Sequence, residues 1–125
     1  MSCDLCAEPA AAEWLAALDP ESDEQVVAAL ARANDGQLDE TVAARALAAA
    51  EVVASAAGEA PDDLPQPARE WVERRGVPAD ELLERALHAV REVAIDDRLR
   101  EAHDEHWCAA VRDLRFRLGD LASPQ

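Results

Sequence analysis

Three cysteines, two of its histidines and one isolated carboxylate are the side chains of this sequence whose types and spacing could do chemistry. Cys3 and Cys6 stand as Cys-Asp-Leu-Cys. Two thiolates at this spacing can grip one zinc ion and leave two tetrahedral positions for other ligands. His103, His106 and Cys108 are the residues that could fill them. His103 and His106 are three apart and can share one face of a helix, whereas Cys108 points about 160° away from His106 on an ideal helix. Zinc held by Cys3, Cys6, His103 and His106 is therefore one reading. The other is a pair of thiols on the leading segment with no cofactor at all. Disulfide exchange of the thioredoxin kind needs a strand before the motif and a helix after it, and no strand pattern precedes Cys3. An odd number of cysteines on a chain without a secretory signal reads as reduced thiols in a cytoplasmic protein.

Glu51 is the one carboxylate between Thr41 and Gly58, a stretch that reads TVAARALAAAEVVASAAG. A helix enclosed on most faces would take Glu51 out of water, which penalises its charge unless a cation answers it. As a functional group it would be a pocket acid or an anchor for a partner. As a structural group it would be a boundary carboxylate paired with an arginine of a neighbouring helix, the commoner arrangement. No second carboxylate at a diagnostic spacing completes an acid–base pair. Nucleophile elbows and glycine-rich phosphate loops are also missing from a chain with only 4 glycines.

Phe116 lies roughly opposite the apolar stripe of the last helical segment and is flanked by Arg115 and Arg117. Either another element covers it, or it is an exposed aromatic with arginines beside it, the residue mix enriched at interface hot spots. His88 falls on the solvent side of its helix and receives no role.

The elements that must position these groups are helical. Half of the residues are hydrophobic but only 3% are aromatic, and there is no Tyr. The core must then be built from Ala, Val and Leu, which suits closely spaced helices. Thr41–Gly58 has the small aliphatic composition of a good helix, with Asp39 to cap its start and Gly58 placed for a left-handed stop. A helix apolar on most faces is surrounded by others. Around it the pattern predicts a helix over Pro9–Leu18, ended by Asp19-Pro20, and another from a Ser22-Asp-Glu-Gln25 capping box to about Ala33. Glu59–Gln66 is the most loop-like segment. Pro67–Arg75 is a short helix stopped by Gly76, and the helix opened by Pro78 carries the stripe Leu82, Leu83, Ala86, Leu87, Val90, Val93 and Ala94. Asp96-Asp97 breaks or re-caps the chain before a short turn or helix to His103. A last helix then carries Trp107, Ala110, Val111, Leu114, Leu118 and Leu121 on one face. The expected fold is all-α, an irregular bundle of about six helices around Thr41–Gly58. Residues 1–8 form a lead-in, 9–121 one domain and 122–125 a tail.

The formal net charge is −15, from 27 acidic residues and 12 basic ones, all of them Arg. Such a surface repels nucleic acid and anionic membranes. The best basic cluster, Arg112, Arg115 and Arg117, is interrupted by Asp113 and followed by Asp120, so the sequence argues against nucleic-acid binding. No apolar run approaches membrane-spanning length.

The order of segments resembles the bacterial domain-of-unknown-function family 4259. The resemblance spans about Ala10 to Leu118 and rests on AAEWLAALD, LDETVAARALAAAEVVASAAG, LLERALHAVREV and WCAAVRDLRFRL, the second being the most specific. It implies an all-α fold and no particular reaction. Taken together, the residues point to an acidic cytoplasmic interaction module that binds another protein. An immunity-type role toward a basic partner is one form of that reading. A zinc-binding protein is the alternative, and an enzyme with Glu51 in a pocket is the third.

Overall fold

The fold is seen in a computed structural model that describes residues 8–35, 38–58 and 64–122. Seven helices and no strands are present among these residues: α1 (Pro9–Ala16), α2 (Glu24–Asn34), α3 (Glu40–Ala57), α4 (Gln66–Arg75), α5 (Asp80–Ile95), α6 (Asp97–Ala102) and α7 (Glu105–Ala122). The one beyond the expected six is α6, the short turn foreseen after Asp96.

α3 is the centre of the bundle. It packs against α1, α2, α4, α5 and α7, and every residue from Ala46 to Ser55 is buried. Alanine makes this possible, because a side chain no larger than a methyl lets neighbouring helix axes approach closely. The Asp39 carboxylate accepts the Val42 N–H at 2.8 Å and starts the helix as expected. Gly58 does not end it in the left-handed way: its φ of −149° is extended. The positive φ, +62°, belongs to Gly76 after α4, where the absence of a Cβ is what permits the reversal into α5.

Larger side chains fill the space that the alanines leave. Leu15 of α1, Leu30 of α2, Trp71 of α4, Val90 and Val93 of α5, and Leu114 and Leu118 of α7 are all buried in one core. Trp71 satisfies its indole N–H on the Ser22 carbonyl at 3.1 Å, and the Arg75 guanidinium lies over its ring.

The capping box before α2 is not made. Ser22 Oγ accepts from the Glu24 N–H, and α2 begins only at Glu24. Gln25 instead straps α2 to the end of α1, donating to the Ala17 carbonyl and accepting from the Asp19 N–H. Further along, Asp96 caps α6 through the Leu99 N–H. Asp104 caps α7 through the Trp107 N–H, which fixes the register of every side chain on α7. No helix among the described residues is long and apolar enough to cross a membrane.

Candidate functional site: the two sides of helix α7

α7 is the helix on which the chemistry-bearing residues converge. Its inner stripe, Trp107, Val111, Leu114 and Leu118, is buried against α5 and α3. Arg117 lies beside that stripe and reaches α3. Its two terminal nitrogens donate to the two oxygens of Glu51 at 3.1 and 3.0 Å, and its Nε donates to Asp113 one turn earlier at 3.0 Å. The Glu51 side chain is 3% exposed and that of Arg117 is 35% exposed. Such a fork-to-fork arrangement is the strongest geometry open to a carboxylate and a guanidinium. Burial by itself would lower the Arg117 pKa. The hydrogen bonds and charge of Glu51, followed by those of Asp113, outweigh it and hold the guanidinium above its ordinary range.

Glu51 therefore takes the paired arrangement and does not present a free pocket acid. The pairing also separates the trio expected around Phe116. Consecutive residues on a helix are about 100° apart, so Arg115 and Arg117 point about 200° apart. Arg117 turns inward to Glu51, while Arg115 and Phe116 remain outside, with Phe116 67% exposed. No element among the described residues covers Phe116. One helical turn past Glu51, the Ser55 hydroxyl is buried with no hydrogen-bond partner among the described residues.

The outer face of α7 carries Cys108, Arg112, Arg115 and Phe116. Arg112 and Arg115 are exposed, and neither makes an ion pair or side-chain hydrogen bond among the described residues. Asp113, which interrupts the basic cluster in sequence, is bonded to Arg117 and leaves these two unanswered. They border a groove of about 220 Å³ that also involves Arg100, Trp107, Cys108 and Val111. The clue in the sequence was the lack of any acid three or four residues either side of Arg112 and Arg115.

Cys3 and Cys6 lie outside the described residues. His103 sits between α6 and α7, where its Nδ1–H donates to the Leu99 carbonyl at 2.8 Å and its ring stacks on Trp107 at 4.1 Å. Its Nε2 faces the Glu8 carboxylate at 3.6 Å. His106 is exposed on the first turn of α7. Among the described residues no three His, Cys, Asp or Glu side chains are grouped to hold a metal ion. His88 is exposed, as expected, and its Nδ1–H donates to Asn34 Oδ1 at 2.7 Å.

Fold and site together define a small all-α bundle whose central helix is closed by a buried ion pair and whose last helix carries an open cationic face. The family model described as domain of unknown function DUF4259 matches residues 8–110, and the chain belongs to that family. No curated protein and no solved structure matches the chain. The family match ends before Arg112, so Arg117 and the outward residues of α7 from Arg112 onward lie beyond it.

Proposed function

We propose that this protein is an interaction module that docks another protein through the outer face of α7, centred on Phe116 with Arg115 beside it. The observation that carries this reading is an exposed phenylalanine next to Arg115 and Arg112, which are unpaired among the described residues, on a helix whose opposite side is fixed in the core. Aromatic and Arg side chains dominate interface hot spots, and a rigid scaffold lowers the cost of ordering them. The net charge of −15 steers encounter with a partner that is basic overall, while Arg112 and Arg115 on the docking face itself call for an acidic patch on that partner. An immunity-type protein facing a basic toxin is the finer form of this reading. The same charge speaks against nucleic acid and anionic membranes as partners, and the odd number of cysteines fits a cytoplasmic setting. Native mass spectrometry on tag-free protein from its own host tests the proposal. A co-purifying protein that is lost in Phe116→Asp, with the helical circular dichroism unchanged, is the expected result. Equal recovery with Phe116→Asp contradicts it.

One observation favours zinc as a second reading. Glu8 stands 3.6 Å from His103, and Cys6 precedes Glu8 by two residues in the chain. A mass increment matching zinc, lost when Cys3 and Cys6 become Ser, is the outcome that reading requires.

A further inference from the structure

We infer that the groove between the end of α5, α6 and the outer face of α7 binds a small organic oxyanion, a carboxylate or phosphate ester carried on a flat apolar body. The argument begins with charge. In a chain with 27 acidic residues and 12 arginines, three of the arginines, Arg100, Arg112 and Arg115, line one groove that has no carboxylate in its lining among the described residues. Arg100 is tethered at its outer edge to Asp97 at 3.6 Å. Arg112 and Arg115 are one turn apart on α7, repel each other and have no partner among the described residues. An oxyanion would relieve that repulsion and accept from planar donor forks, the geometry for which arginine is suited.

The shape of the groove sets the rest of the ligand. Trp107, Val111 and Ala94 give it an apolar side. Its volume is about 220 Å³, whereas an apolar space of about 150 Å³ already holds a benzene-sized guest. One ring with its acid group fits within it. The larger groove of about 400 Å³ between α2, α4 and α5 lacks this character, because its cations are already answered. There Arg75 bonds Asp23 and Arg85 bonds Glu81.

This inference stands apart from the docking proposal: the occupant is a small molecule, and it is tested with small probes alone. The chain has three tryptophans, and so three indole N–H signals in a nitrogen-15 spectrum. Trp107 lines this groove and Trp71 the other one. Titration with benzoate and with phenyl phosphate is expected to move the Trp107 signal saturably and leave Trp71 in place, with a dissociation constant of about 1 mM or tighter. Arg112→Ala and Arg115→Ala should each weaken binding about tenfold. Arg45→Ala, on an exposed residue of α3, should leave it unchanged. Benzyl alcohol, which lacks the charge, and inorganic phosphate, which lacks the ring, should bind more weakly than the two probes. Cys108, a partly exposed free thiol at the same groove, supplies a second readout. Its alkylation by iodoacetamide, followed by peptide mass spectrometry, should slow in the presence of benzoate. A Trp107 shift that does not saturate up to about 10 mM, affinity indifferent to Arg112 and Arg115, or inorganic phosphate binding as tightly as phenyl phosphate would each overturn the inference.

Discussion

Arg117 and Arg115 are two residues apart on the same helix and meet opposite fates. Arg117 faces α3, where Glu51 takes both of its terminal nitrogens and Asp113 takes the third. Arg115 faces outward beside Arg112 and Phe116, with no acid to answer it among the described residues. The difference teaches how to tell a structural charge from an available one in a strongly charged chain. A guanidinium whose every nitrogen is bonded to a buried or neighbouring carboxylate contributes to the fold and has little left to give a ligand. One left unpaired, when acids are abundant, retains its full binding capacity.

The sharpest way to break the comparison is to remove the inner cation. Arg117→Ala leaves Glu51 buried without its counter-charge. The expected loss is about 3 kcal/mol, the lower end for breaking a buried pair, because Arg117 keeps part of its side chain in water. Urea unfolding followed by circular dichroism measures it. Glu51→Gln should cost less, about 1.5 kcal/mol, since the amide oxygen still accepts and Arg117 keeps Asp113. Replacing both residues with apolar ones, Glu51→Met with Arg117→Leu, should recover most of the stability lost in Arg117→Ala. Recovery of stability there together with loss of partner binding would give the pair a functional part and blunt the contrast.

Much of the fold was legible in the sequence, and the reasons are local. The unbroken apolar composition of α3 marked it as central, and the stripes of α5 and α7 marked their buried faces. Asp39 announced the start of α3. What sequence could not supply was register between distant elements. Glu51 called for an arginine, but that the arginine is Arg117, 66 residues away, depends on how α7 lies across α3. Grouping Arg115, Phe116 and Arg117 as one surface treated neighbours in sequence as neighbours in space, and helical rotation divides them. Gln25 matched a capping pattern, yet the bend after Asp19 gave its amide nearer partners. The groove of Arg100, Arg112 and Arg115 needed the turn between α5, α6 and α7 before it existed.

The smaller effects sharpen the contrast from its other side. Arg85→Ala removes an exposed pair with Glu81, one turn away on α5, and should cost about 0.3 kcal/mol. Arg112→Ala with Arg115→Ala should leave stability within about 0.5 kcal/mol of the parent, since it deletes no bond and relieves a repulsion. Thermal and urea unfolding of both variants check these values. A large loss in the double variant would mean that the outer face is part of the fold.

The division of charge on α7 is read most directly by the rate at which phenylglyoxal modifies each arginine of the free, folded protein, resolved by mass spectrometry of peptides cleaved at acidic residues. Arg112 and Arg115 should react fast and Arg117 slowly, because its nitrogens are held by Glu51 and Asp113, and Glu51→Gln should speed Arg117 selectively. Equal rates at all three positions would contradict the account.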